Sequence, residues 1–204
     1  MSIERAMSES LLRPVRDAEM EMIYRWRNEP RVRKVMPYCQ EIDFAAHREW
    51  WPKALADPRR RMLILEVGRA PVAAVVFMEV RPGVSAKWGF YTAPHHELRA
   101  AGLLTVWFTC QSAAIFYAFE ILRVDVLVCD VLATNEAVLR WIDRAGFETI
   151  GEELLAGGNS PFIRSRLTRL IYETQFRSSR SGGKAIAIVA DERDAGVGSQ
   201  NFVA

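Results

Sequence analysis

The stretch LLTVWFTCQSAAIFYAFEIL, residues 103–122, constrains the fold more than any other part of the chain. Trp107, Phe108, Phe116, Tyr117 and Phe119 encircle a helix here instead of lining one stripe, so that helix must be enclosed on all sides. About 20 such residues could also cross a bilayer. Thr105, Thr109, Gln111, Ser112 and above all Glu120 argue against that, because a carboxylate in hydrocarbon is costly. The sequence therefore predicts a helix buried inside a soluble protein, with no membrane partner.

Strand-like segments flank this helix on both sides. Before it, RMLILEV and PVAAVVFMEV are joined by the short hairpin turn GRA, and RPG at 81–83 leads into SAKWGFYTAP. These three read as an antiparallel meander. After it, VDVLVCDVL has the continuous apolar character of a central strand. TNEAVLRWIDRAGF then reads as a helix capped by Thr134 or Asn135 and stopped by Gly146. Two further strands are expected near 147–154 and 165–173.

Upstream, LLRPV reads as a first strand. Asp17 is the expected N-cap of AEMEMIYRWRNE, which ends at Pro30, and Asp43 the expected N-cap of FAAHREWWPKAL, which Pro52 should kink or end early. Residues 31–42 link the two helices. The order is strand, two helices, three strands, helix, strand, helix, two strands. A strand–helix–strand crossover implies at least one parallel pair in an otherwise antiparallel sheet, hence a mixed α/β (α+β) fold. At 204 residues and 50% hydrophobic, the chain suits one domain, placed at 11–174. From Arg177 onward Ser, Gly and charge dominate, so 175–204 reads as a flexible C-terminal tail in which AIAIVA is a weakly sticky patch.

A net charge of only +2 argues against a nucleic-acid partner, although RWRNEPRVRK at 25–34 is locally basic. Cys39, Cys110 and Cys129 form no CxxC pair, and the N-terminus lacks an apolar leader; both suit a reducing cytoplasm. His95-His96 makes a poor metal pair, since adjacent side chains point apart and no third ligand is evident. Cys129 should face the core, opposite Asp130.

In GFYTAPHHELRAAGLL a strand ends, a loop follows and a helix begins near Gly102. The unpaired amides and the positive end of the helix dipole could cradle a pyrophosphate. Most strand-to-helix loops bind nothing, so the loop alone leaves a plain helix start open. Arg99-Ala100-Ala101-Gly102-Leu103-Leu104, the order of elements and the segment Asn135 to Phe147 together resemble the GNAT acyl-CoA N-acyltransferase superfamily. Arg99 and Gly102 match its Gln/Arg-x-x-Gly-x-Gly/Ala loop, and Leu104 departs from it.

The resemblance implies a sheet splayed between its fourth and fifth strands, with acetyl-CoA in the cleft. Pantetheine would lie along Phe90, Tyr91 and Thr92. The pyrophosphate would lie on the backbone of Leu98, Arg99, Ala100, Ala101, Gly102, Leu103 and Leu104, with Asn135 completing the set. Trp26-Arg27-Asn28, Met36, His47 and Trp50, together with WGFYTAP and CDVLATNEAVLR, resemble more narrowly the GNAT enzymes that acetylate the 4-amino group of a UDP-linked sugar for flagellin glycosylation through pseudaminic acid. That likeness implies Arg27, Met36 and His47 in the acceptor pocket. The bland alternatives are a solvated Arg27, a core Met36 and a surface His47.

Acyl transfer to an amine needs a proton acceptor and a pre-placed N–H for the oxyanion. The resemblance places Asp130 as the base, with a pKa expected to be raised by apolar neighbours, and Glu79 in reserve; a structural ion pair is the alternative for Asp130. Ile142 occupies the position where many relatives carry a tyrosine that protonates the leaving thiolate, which leaves water or Tyr91 for that step. The expectation is an acetyl-CoA-dependent N-acetyltransferase without metal, acting on a small-molecule amine, with a homodimer left open. A ribosomal-protein-type N-terminal acetyltransferase and a non-catalytic acyl-CoA-binding protein are the alternatives.

Overall fold

The computed structural model describes residues 10–36, 39–94, 96–98, 102–154, 161–176, 185–194 and 200–203. Strand β1 (Ser10–Pro14) leads through a single turn at Asp17–Glu19 into α1 (Met20–Asn28), the short α2 (Pro30–Arg33) and α3 (Phe44–Ala56). The meander β2 (Arg61–Val67), β3 (Ala70–Arg81) and β4 (Ser85–Thr92) follows. Helix α4 (Leu103–Phe116) continues as a wider π-turn over Tyr117–Ile121. Then come β5 (Val126–Leu132), α5 (Glu136–Arg144), β6 (Glu148–Glu153) and β7 (Phe162–Thr168), and the helical turn α6 (Arg169–Ile171), which continues to Phe176. Strands β8 (Ala185–Ile188) and β9 (Gln200–Val203) end the described chain.

The strands form one sheet in the order β6-β7-β5-β4-β3-β2-β1-β8-β9. Pairing is antiparallel except at β4·β5 and β1·β8, so the parallel pair required by the crossover is present. Every residue of β2 is buried, as expected for an inner strand covered on both faces. Leu103–Ile121 is apolar and long enough to cross a membrane, yet 67% of its most apolar window is buried inside the protein: it is the core helix of the fold. The β2–β3 hairpin turns on Gly68 and Arg69, both in the left-handed region that a two-residue connection of this hand demands.

Three local expectations give way to tertiary contacts. Asp17 does not cap α1: its carboxylate accepts from Trp51 Nε1 at 2.8 Å, and Glu19 takes the Arg16 amide at 2.7 Å. Pro52 does not end α3, which runs on to Ala56; His47, Trp51 and Ala54 recur on one face and are buried there, so packing outweighs the hydrogen bond that proline removes. Asp43 does cap α3, accepting from the Ala46 amide at 2.9 Å. Strand β7 starts at Phe162 and ends at Thr168, because the Thr168 side chain starts a helical turn where a strand over 165–173 was expected.

The segment expected to be a flexible tail supplies part of the sheet. AIAI, residues 185–188, pairs in parallel with β1, and Ile186 and Ile188 are buried. Beyond it, Asp194 meets Arg61 with a shortest contact of 2.6 Å, and both side chains are nearly closed off from solvent, at 6% and 4% exposure. Tyr117 Oη donates to Asp194 Oδ2 at 2.8 Å and accepts from the Asp191 amide at 3.0 Å, so the C-terminal strand is pinned to β2 and to the end of the core helix. Asp194→Asn should therefore lower the free energy of unfolding by about 3 kcal/mol, because Arg61 stays buried with its charge poorly matched. Chemical denaturation checks this, and an unchanged midpoint would mean that the segment is not anchored through Asp194.

Candidate functional site

Strands β4 and β5 pair only at Ser85–Val126, Ala86–Leu127 and Lys87–Val128. Beyond Lys87 the ladder stops while both strands continue, to Thr92 and Leu132. The backbone of Gly89 to Thr92 still pairs with β3 but has lost its β5 partner. That leaves main-chain donors and acceptors along a cleft, the setting in which an extended amide-bearing ligand adds as a strand would.

Phe90, Tyr91 and Thr92, the expected pantetheine strand, all lie on this unpaired stretch and are half-buried. Trp88 and Phe90 stack at 5.8 Å between centroids, and Phe90 meets Trp107 of α4, which in turn meets Trp141 of α5 at 5.3 Å. An aromatic seam thus runs from β4 across both helices on one face of the sheet. Tyr91 faces the other way, close enough to Arg27 of α1 for their charges to interact. Burial pushes the Tyr91 phenol well above its usual value, so it stays protonated at neutral pH.

Gly102 immediately precedes α4, with φ 72° and its carbonyl accepting from the Val106 amide at 3.1 Å. Nothing lies within 4 Å of where a Cβ would stand, so conformation, not space, requires glycine here. The amides of Leu103, Leu104 and Thr105 point out of the helix start with no carbonyl inside the helix to receive them. The Leu98 side chain is buried in the core, leaving only its backbone for ligand contact, and Leu104 is 71% exposed, turned to solvent. Arg99, Ala100 and Ala101 lie outside the described residues, as does His95. Asn135 stands at the N-cap of α5 and accepts there through its backbone carbonyl, from the Val138 and Leu139 amides; its side chain makes no capping bond.

Asp130 differs from its expected electrostatics. Its carboxylate receives Nε and Nη2 of Arg164, its cross-strand neighbour on β7, at 2.8 and 2.9 Å, and the Lys87 ammonium of β4. Burial alone would raise its pKa, as the apolar strand suggested, but the two cations outweigh burial and hold it below the ordinary carboxylate range. Such a group is a poor base near neutrality. Cys129 is buried, and burial first, with the Asp130 charge adding, pushes its thiol up to about 12, so it is inert. Glu79 is exposed, held at φ 52° where β3 and β4 slip register between Met78 and Arg81, and its charge acts on Arg164.

The acceptor-side residues separate. Arg27 is half-buried beside Tyr91; burial lowers its pKa most, Tyr91 acts in the opposite sense, and Arg33 adds a smaller repulsion. Met36 is half-buried at the end of α2. His47 is neither at a surface nor open to a ligand: it is 3% exposed, ringed by Tyr24, Trp50 and Trp51, with Nε2 3.3 Å from the Met20 carbonyl. Its burial lowers its pKa, so it stays neutral. Ile142 is likewise a core residue at 4% exposure, so a tyrosine there would have to displace packed neighbours before reaching any thiolate. Sequence reading missed Lys87 and Arg164, whose pairing with Asp130 depends on a register no local pattern encodes.

Because Asp130 is held below its ordinary pKa, the stability it contributes is fully present above the unfolded-state value of about 3.9 and is lost as pH falls through the lower folded value. Arg164→Ala should raise the folded value, so that the contribution shrinks and its loss is complete at a higher pH. Carboxyl carbon titration of Asp130 reads the first change and acid denaturation the second; an unmoved titration would contradict the pairing.

Residues 10–148 match the family model for the acetyltransferase (GNAT) domain. Among curated proteins, acetyltransferase PseH of Campylobacter jejuni subsp. jejuni serotype O:23/36 is 25% identical over 135 residues, spanning 66% of this chain and 80% of that protein. Its counterpart from serotype O:2 is 24% identical over the same lengths. Among solved structures, spermidine N-acetyltransferase from Vibrio cholerae in complex with CoA and spermine superposes with a TM-score of 0.68 at 20% identity, over 81% of this chain and 98% of that one. The same enzyme with manganese ions gives 0.65 over 85% and 99%; at this identity the likeness speaks to the fold. The family match over more than half the chain, joined to the divergent β4 and β5 and to the glycine-led start of α4, makes this chain a member of the GNAT acetyltransferase domain family.

Proposed function

We propose that this N-acetyltransferase moves the acetyl group of acetyl-CoA to the primary amine of a nucleotide-linked amino sugar, of the UDP-4-amino-4,6-dideoxy class. The observation that carries the reading is the place of Arg27: it lies half-buried on α1 beside Tyr91, on the stretch of β4 that has no β5 partner, where burial above all lowers its pKa and an anion would favour its charged form. Arg25, Arg31 and Lys34 add positive charge to the same helix pair, where a diphosphate would be drawn and a polyamine repelled. The resemblance to PseH supports the same acceptor class.

In this reading pantetheine lies along Phe90 to Thr92, and the pyrophosphate rests on the amides that begin α4, with Arg99, Ala100 and Ala101 completing that loop. The amine attacks the thioester carbonyl, the tetrahedral oxyanion is held by a main-chain N–H of β4, and the thiolate leaves. A thiolate is a tolerable leaving group near neutrality, so water suffices to protonate it where the family tyrosine is replaced by Ile142. Asp130 is tied to Lys87 and Arg164, which leaves Glu79, exposed on the same charged face, as the acid group that receives the amine proton through water.

Free thiol and product mass, followed with acetyl-CoA and in turn a UDP-4-amino sugar, spermidine or an N-terminal peptide, decide the acceptor. Thiol release with the sugar alone is expected. Release with spermidine or peptide alone would reassign the acceptor, and acetyl-CoA binding without any product would make this a non-catalytic member. Glu79→Gln should cut turnover at least tenfold while leaving acetyl-CoA affinity unchanged, within the usual contribution of a general base; unaltered turnover would remove Glu79 from the reaction.

A further inference from the structure

Gly89 stands in the interior of an inner strand, and neither backbone conformation nor a bulge calls for glycine there. It is not in the left-handed region, and it pairs with Val76 of β3 in a ladder that runs without slip from Met78–Lys87 to Ala73–Thr92. Among the described residues, nothing lies within 4 Å of where its Cβ would stand. A glycine weakens a strand interior and marks places where another group approaches the backbone closely. Side chains alternate, so Gly89 shares a face with Lys87 and Tyr91, while Phe90 turns to Trp107 of α4. That face is built up on both sides of the gap. Lys87 pairs with Asp130, which Arg164 also holds, and Tyr91 lies beside Arg27 of α1. Lys87 to Tyr91 is about 13 Å of strand, with the gap midway. The floor beside it is apolar: cross-strand neighbours share a face, which brings Val76 and Met78 of β3 next to Gly89, and both are only half-buried. Phe77 between them points the other way, stacked on Tyr117 and fully buried. The middle of the sheet thus carries a partly open apolar patch on the face that Tyr91 and Arg27 share.

We propose that Gly89 is a specificity-determining residue: the room left by its missing side chain seats the ring of the acceptor, whose apolar side lies on Gly89, Val76 and Met78. The proposal rests on the amino-sugar reading above and deepens it. A 6-deoxy ring carries a methyl group where other hexoses carry a hydroxymethyl, so it has an apolar side to remove from water on such a floor. Its diphosphate then extends toward Arg27. Its amine stands over the unpaired backbone of β4, which in the same reading holds the thioester oxyanion. A side chain at position 89 would lift the ring from that backbone, and a shift on the order of 1 Å between reacting atoms costs about a hundredfold in rate.

The test uses the full chain with acetyl-CoA and a UDP-4-amino-4,6-dideoxy sugar, and compares Gly89→Ala and Gly89→Val with the parent. Both variants should unfold at or above the parent's denaturant midpoint, since each suits a strand interior better than glycine. CoA affinity, measured without the sugar, should stay within about twofold of the parent. The kcat/KM for the sugar should fall about tenfold with alanine and about a hundredfold with valine. Parent-like kcat/KM in Gly89→Val overturns the seat and leaves the acceptor reading standing. A loss of CoA affinity as large as the loss of kcat/KM gives the space to the donor and overturns the seat as well. Should valine lower the midpoint, alanine decides, and parent-like kcat/KM in Gly89→Ala then overturns the seat. A parent that releases no thiol with the sugar overturns the acceptor reading, and the seat with it.

Discussion

The parting of β4 from β5 after Lys87 is the constraint on which the rest of the structure depends. Two parallel neighbours cannot be joined by a tight turn; they need a crossover, and the apolar helix α4 supplies it while covering the sheet. Because the strands separate beyond three paired residues, the far end of β4 keeps an unpaired backbone edge, and Phe90 on it reaches Trp107 of α4, which meets Trp141 of α5. The aromatic seam from Trp88 to Trp141 lies on one face of β4, and Tyr91, the next residue along from Phe90, turns to the other face beside Arg27.

Charge is used in this molecule chiefly to hold elements in register. Arg13, buried in β1, binds Glu19 at 2.6 Å and Glu66 at 2.5 Å and so locks the first helical turn to β2. Asp194 does the same for the C-terminal strand, and Asp130 for the β4, β5 and β7 face. Glu19 and Asp130 sit among cations that outweigh burial and hold them ionised, which makes each a good clamp and a weak base. Around Arg27, by contrast, burial disfavours the charge.

The legibility of the site followed the range of the interactions that make it. Gly102 was readable because a positive φ selects glycine locally, and the helix start came with it. The aromatic identity of α4 and the turn at Gly68-Arg69 were readable for similar reasons. Asp17 and Pro52 were misread because each looks like a helix boundary until Trp51 is seen to pack between them and bind Asp17. Asp130 was read correctly as an acidic residue on an apolar strand, but its pKa was placed on the wrong side. Its neighbours Lys87 and Arg164 are 43 and 34 residues away in sequence.

What the sequence determined by itself was the succession of elements and the mixed sheet, because alternation, apolar runs, glycine and helix caps act over a few residues and carry their cause with them. Only the tertiary structure decided that AIAI would be an inner strand and not a tail, that His47 and Ile142 would be core, and that Asp130 would be a clamp. The physical reason is shared: burial and ionisation are set by whichever groups arrive from distant segments, and their energies exceed the local preferences from which a sequence is read.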